Sequence, residues 1–259
     1  MTILATTDLS DNSKAAIRSA ARIASHRDAA LRVLFCDEHS AEDAAWRLFV
    51  QTPWEEPEER EREAREQLDS FLEETLGDLS TRPETETDVR LEHLEDAIAD
   101  MTGEGSDIDL LVVGATGASG LTRVLLGSSA EDVVRTADPP VLVVPHDHEL
   151  DRVSDILAPV DLSDCSKRSL QVAVDLARDY RAKLHVLRAL PMPTAAVVPF
   201  ESDVPPVDLD VYEEDAREAL DHFLSDVDTS NIEVTTSVPI DTPHTAIAEP
   251  SSSSSRVQS

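Results

Sequence analysis

The stretch ILATTDLSDNSKAAI at residues 3–17 returns as ILAPVDLSDCSKRSL at 156–170. At this constant offset of 153 residues, nine of the first twelve positions are identical. The correspondence continues, with Ile17, Ala20, Ala21 and Ala24 aligned to Leu170, Ala173, Val174 and Ala177. Both sets follow the i, i+3, i+4, i+7 spacing of a helix with one buried face. LRVLF at 31–35 then aligns with LHVLR at 184–188. Two copies of one supersecondary unit are therefore expected, each opening as strand, loop, helix, strand.

The first copy reads on as a complete domain. A charged helix spans roughly Glu55 to Leu76, and ETDVRLE follows as a third strand. LEDAIADMTGEG is a helix stopped by glycine. DIDLLVVG is a continuous apolar run, the pattern of a strand buried on both faces. SSAEDVVRTAD and PPVLVVP supply a last helix and a last strand. Alternating strands and helices predict an α/β fold, a doubly wound five-stranded parallel sheet. The second copy repeats this as far as TAIAE at 245–249, the counterpart of DAIAD at 96–100, and then meets PSSSSSRVQS. These ten residues carry neither an apolar run nor a glycine. We divide the chain into domains 1–147 and 153–249 and a low-complexity tail, 250–259. The second domain reads as incomplete, through natural decay or a lost reading frame.

Composition narrows the partners. The net charge is −31, from 53 acidic and 22 basic residues. Only Lys14, Lys167 and Lys183 are lysines. Such a surface repels nucleic-acid phosphates and anionic membranes. It fits either an acidic partner-binding protein or adaptation to high salt, where screening removes self-repulsion. The spread of acid along the whole chain favours salt adaptation. No run of eighteen apolar residues suggests a membrane span, and MTILATTDLS lacks the signal-peptide pattern. Cys36 and Cys165 form no metal-binding spacing, and reduced thiols in a cytoplasm are expected.

Four of the seven glycines sit in one stretch, GATGASGLTRVLLGSS at 114–129, and none follows Gly127. Gly114 ends the predicted fourth strand, so the stretch lies where doubly wound sheets bind ligands. Glycines permit positive φ and close approach to a ligand. Gly127, Ser128 and Ser129 stand at the start of the next helix, whose free N–H groups and partial positive charge suit phosphate oxygens. Arg123 adds a cation. GxxxxGK[ST], GxGxxG and GxSxG are all absent. The spacing present is Gly114, two residues, Gly117, nine residues, Gly127-Ser128.

This spacing after an apolar strand resembles the nucleotide loop of the universal stress protein family. The openings TTDLSDNS and APVDLSDCS are similar to that family's P-x-D-x-S start, with Thr6 standing where the family has proline. GSSAEDVVRTADPPVLVVP looks like its closing helix and strand. The resemblance covers 1–146 fully and about 153–249 partially. It implies an adenine nucleotide alpha hydrolase-like sheet of flavodoxin-like topology. It also implies a tandem-domain protein of the ATP-binding type that serves as a cytoplasmic regulatory or stress-response protein. ATP, AMP or ADP is the implied ligand, with or without Mg2+, and one nucleotide per chain is the maximum. Asp8, flanked by Thr6 and Thr7, would face adenine or ribose, and Cys36 would lie beside the base through its backbone. Gly114 and Gly117 would contact ribose and phosphates; Gly127, Ser128 and Ser129 would cradle the phosphates. A homodimer or an intrachain pseudo-dimer is implied as well.

Plainer readings stand beside these. Asp8 and Ser128 suit helix capping, and Cys36 suits a small apolar filler. HDH at 146–148 reads as a solvated linker sooner than a metal site. EEPEEREREAREQ is a solvated helix face with i, i+4 Glu–Arg pairs. Trp46 and Trp54 fit hydrophobic filling as well as a cover for ligand or dimer surface. No residues own the roles of base and nucleophile, so an enzyme is not expected. A nucleotide-independent dimerising interaction protein and a weak ATP hydrolase on the same fold are the alternatives.

Overall fold

The structure, a computed structural model, describes residues 1–37, 57–115, 128–193, 208–248 and 255–256. The chain forms two compact units, Met1–Asp151 and Arg152–Ser259. No helix among the described residues is long and apolar enough to cross a membrane.

In the first unit the strands are β1 (Thr2–Thr7), β2 (Ala30–Cys36), β3 (Thr85–Arg90), β4 (Ile108–Gly114) and β5 (Val141–Val144). They alternate with α1 (Asp11–Arg27), α2 (Pro57–Leu76), α3 (Leu94–Thr102) and α4 (Ser128–Thr136). All strand pairs are parallel, in the order β3-β2-β1-β4-β5. The five-stranded doubly wound sheet agrees with the sequence pattern. Its order differs from the 2-1-3-4-5 of flavodoxin-like sheets, because β1 lies between β2 and β4 and the chain crosses back over it. Strand order is set by which crossovers pack, and periodicity carries no record of it.

Alanine explains how α1 lies on the sheet. Ala15, Ala16, Ala20, Ala21 and Ala24 are buried with Ile17 and Ile23, and α1 packs on β1 and β4. Small side chains let a helix approach strands closely while burying apolar area. The opposite face buries Leu4, Leu34, Leu111 and Val113 beneath Ala97 and Ile98 of α3 and Ala130 and Val133 of α4. Both faces of the sheet are thus covered, as the apolar run Leu110–Val113 of β4 demands.

The second unit contains β6 (Asp155–Pro159), α5 (Asp164–Tyr180), β7 (Lys183–Leu187), α6 (Leu209–Ser225), β8 (Val234–Ser237), α7 (Pro243–Ala248) and β9 (Ser255–Arg256). Its sheet order is β6-β7-β8-β9. The first three strands are parallel and repeat the β1-β2-β3 arrangement. β9 is antiparallel, pairing Thr235 with Arg256 and Thr236 with Ser255. The serine tail, read from sequence as low-complexity, therefore contributes a short strand at the β8 edge. One face is well packed: Leu170, Val174 and Ala177 of α5 and Ala216, Leu220 and Leu224 of α6 cover Ala158, Val160, Leu184 and Val186. The other face is thinner. Leu157 is half-buried, whereas its repeat counterpart Leu4 is fully buried beneath α3 and α4.

The repeat extends into backbone detail. Helices α1 and α5 both end on a left-handed residue, Asp28 (φ 49°) and Arg181 (φ 54°), 153 positions apart. Each donates its N–H back to the helix, to the carbonyls of Ala24 and Ala177 respectively.

Candidate functional site

The site begins where two strands part. The β1–β4 ladder runs to the pair Ala5↔Val112 and goes no further. β1 continues beside β2 to Thr7↔Phe35, and β4 continues beside β5 to Gly114↔Val144. A crevice therefore opens at the carboxyl ends of β1 and β4, with Thr6–Asp8 on one side and Val113–Ala115 on the other. Helix α1 leaves it over one face of the sheet, and α3 and α4 cover the other. This is the topological switch point of a doubly wound sheet.

The loop after β1 is locked by hydroxyl groups. The Leu9 N–H donates to Thr7 Oγ1 at 3.0 Å. Thr7 Oγ1 and Ser13 Oγ lie 2.7 Å apart, and the Ser13 hydroxyl donates to the Ser10 carbonyl at 2.9 Å. With the Ser13 proton so directed, the Thr7 hydroxyl donates to Ser13. Asp8 Oδ1 accepts from the Ser10 N–H at 3.0 Å and from the Ser10 hydroxyl at 2.6 Å. These bonds hold Leu9 at φ 59°, a left-handed conformation that a branched side chain rarely adopts. The second unit repeats the device: Leu162 has φ 66°, and Asp161 Oδ1 accepts from the Ser163 N–H at 2.9 Å. There the Ser163 and Ser166 hydroxyls and the Ser163 N–H hold the Asp161 carboxyl down at about 2.

The residues expected at the site fall out as follows. Thr6 and Thr7 are buried, and Asp8 is exposed at the crevice. Cys36 ends β2, half-buried, in register with Arg90 of β3. Gly114 ends β4, and the next N–H, of Ala115, bonds the Val144 carbonyl at 2.9 Å. Gly117, Arg123 and Gly127 lie outside the described residues. Ser128 and Ser129 open α4, their side chains outside the description. The structure thus brings Thr6, Thr7, Asp8 and Gly114 to one crevice. Sequence reasoning took Asp8–Ser13 as a source of helix caps and did not place Ser10 and Ser13, which shape the loop, among the site residues. The signal was present, since both are repeated as Ser163 and Ser166.

Glu149 was passed over as well. It pairs with Arg18 at 3.0 Å and Arg22 at 2.9 Å, while Arg18 also grips Asp78 at 2.6 Å and the Thr75 carbonyl. Carboxylates on two sides raise the Arg18 guanidinium well above its ordinary range. The neighbouring Leu150 N–H donates to the buried Ser19 hydroxyl at 3.1 Å. The segment after β5 is thereby fastened to α1. His148 beside it hydrogen-bonds Asp147 at 2.8 Å. Among the described residues no group of three or more His, Cys, Asp or Glu is placed to hold a metal.

Comparison with known proteins bears on this arrangement. The model of the universal stress protein family matches residues 1–145 and again 153–251. The chain belongs to the universal stress protein family. A universal stress protein of Mycolicibacterium smegmatis is 30% identical over 177 residues, 68% of this chain. That match spans 59% of the relative's length. The crystal structure of a putative universal stress protein from Pseudomonas aeruginosa has a TM-score of 0.60 at 19% identity, covering 95% of this chain and 78% of that one. A universal stress protein from Archaeoglobus fulgidus has a TM-score of 0.52 at 20% identity, with coverages of 95% and 80%. These structures agree on the fold: two tandem universal stress protein copies, of which the second is the smaller here.

Proposed function

We propose that this universal stress protein is a cytoplasmic regulatory protein that binds one adenine nucleotide, ATP or its AMP or ADP form, in the first unit. The observation that carries the reading is the parting of β1 and β4 beyond Ala5↔Val112, with Asp8 at one lip and Gly114 at the other. In this reading the base and ribose lie along Thr6–Asp8 and the backbone of Cys36. The phosphates lie along Gly114, Gly117, Gly127 and the first turn of α4, where Ser128, Ser129 and helix N–H groups meet negative charge. Arg123 adds a cation, and any Mg2+ enters with the phosphates. Occupancy alters contacts with a second copy in a homodimer, so the protein reports nucleotide level without chemistry. The acidic surface is an adaptation to high salt.

The test is to denature purified protein and identify released nucleotide, then to measure the thermal shift with ATP and Mg2+. We expect adenine nucleotide, and an ATP affinity lowered about tenfold by Asp8→Asn or Gly127→Val. Empty protein with no thermal shift refutes the reading. Turnover of ATP by purified protein would replace it with the hydrolase.

A further inference from the structure

We propose that the outer edge of β6 is a docking site for an extended, continuously apolar segment of another protein, flanked by basic residues and added to the sheet as a parallel strand. The Lys183 N–H donates to the Ser154 carbonyl at 2.9 Å, and the Val160 N–H to the Leu187 carbonyl at 2.8 Å. The even-numbered residues of β6 thus turn their peptide groups to β7, and alternation turns the N–H and carbonyl of Asp155 and Leu157 to the opposite side. In the first unit that side of β1 is paired with β4. Here β6 ends the sheet, and no strand among the described residues lies beyond it. Such an edge is a template for an incoming strand.

Side chains on both faces beside this edge are less buried than their repeat counterparts. On the α5 face, Ala173 and Leu176 are half-buried, whereas Ala20 and Ile23 of α1 are fully buried, α1 packing on β4 and β5 as well as on β1. On the α7 face, Leu157 is half-buried where Leu4 is sealed, and Ile247 is 41% exposed where its counterpart Ile98 is 1% exposed. Leu4 and Ile98 are buried in a cluster with Leu111 and Val113 of β4 and Ala130 and Val133 of α4. The shortfall therefore lies where β4 stands in the first unit, above and below the edge alike. A strand covered on both faces carries a continuous apolar run, as LLVV at 110–113 does, and not an alternating one. Charge completes the description of the occupant. Exposed Asp155 stands at the amino end of the edge, and exposed Asp161 and Asp164 just beyond its carboxyl end, with exposed Arg152 to offset one of them. Basic flanks complement these carboxylates. A second copy of this chain brings the same carboxylates and a net charge of −31, and is repelled.

The probe is a fluorescein-labelled peptide, KKILLVVGKK, which is β4 without Asp109 and with lysines at both ends. It is titrated into the full chain and followed by fluorescence anisotropy, and saturable binding is expected. In the register of β4 on β1, the peptide groups at the positions of Leu110 and Val112 face the edge, since the Leu111 N–H goes to the Pro140 carbonyl on the β5 side. N-methylation at the positions of Leu110 and Val112 should weaken binding at least about tenfold, while N-methylation at those of Leu111 and Val113 leaves it unchanged. Glutamates in place of the lysines should weaken it about tenfold at roughly 0.1 M salt. Ile247→Glu, at an exposed position the fold does not depend on, should weaken it about tenfold as well. Absence of saturable binding, or binding that ignores the place of methylation or Ile247→Glu, overturns the proposal. So does a dimer of the free protein that the peptide dissociates, because the occupant is then a second copy.

Discussion

Leu9 and Leu162 sit in left-handed backbone, which costs a non-glycine residue about 1–2 kcal/mol. Beside each a carboxylate, Asp8 or Asp161, accepts the N–H of the residue that follows, and in the first unit a short relay of hydroxyls adds to this hold. The first-unit relay runs from the Leu9 N–H through Thr7 and Ser13 to the Ser10 carbonyl, with both hydroxyls shielded from water. Ser13→Ala removes its middle and leaves the Thr7 hydroxyl without its acceptor. We expect a loss of about 1–2 kcal/mol in unfolding free energy, measured by denaturant titration. Asp161 gives a second prediction. Its folded pKa of about 2 lies below the unfolded value of 3.8, so its stabilising contribution is present above about pH 4 and is lost as pH falls toward 2. Carboxyl-carbon NMR should place its midpoint near 2, and Asp161→Asn should make the acid limb of second-unit stability shallower.

At the scale of elements, helix ends and fasteners set how tightly each helix is held. Asp28 closes α1 at φ 49° and is exposed. Glycine there escapes the left-handed penalty but gains unfolded-chain entropy of about 0.5–1 kcal/mol. The difference leaves Asp28→Gly stabilising by about 0.5–1 kcal/mol, seen as a raised melting temperature. The three lysines are all paired. Lys14 reaches Asp11 and Glu74 at 2.7 Å, Lys167 reaches Asp226 at 2.8 Å, and Lys183 lies 3.7 Å from Glu233. Lys14 and Lys167 are repeat counterparts, and each ties the sheet's first helix to its second, so the duplication preserved an interhelical tie as well as a core.

For the whole molecule, charge dominates. A net charge of −31 repels itself at low ionic strength, and the Debye length falls from about 10 Å at 0.1 M salt to about 3 Å at 1 M. Many ion pairs among the described residues join exposed side chains, each contributing about 0–1 kcal/mol, so screening costs little attraction while removing much repulsion. We expect the melting temperature to rise steadily between 0.1 and about 2 M KCl; a fall would contradict salt adaptation. Much of this molecule was legible in the sequence. The offset of 153 exposed the duplication, and short apolar runs and the 3.6-residue period placed the strands and helices, because burial imprints itself locally. The glycine stretch marked the strand end that borders the crevice. Strand order, the parting of β1 and β4, the pairing of β9 with β8 and the grip of Arg18 on Glu149 were not legible. Each depends on residues far apart in the chain, as Leu150 and Ser19 are, meeting in space. Local pattern records which face of an element is buried, and only the tertiary structure decides what it is buried against.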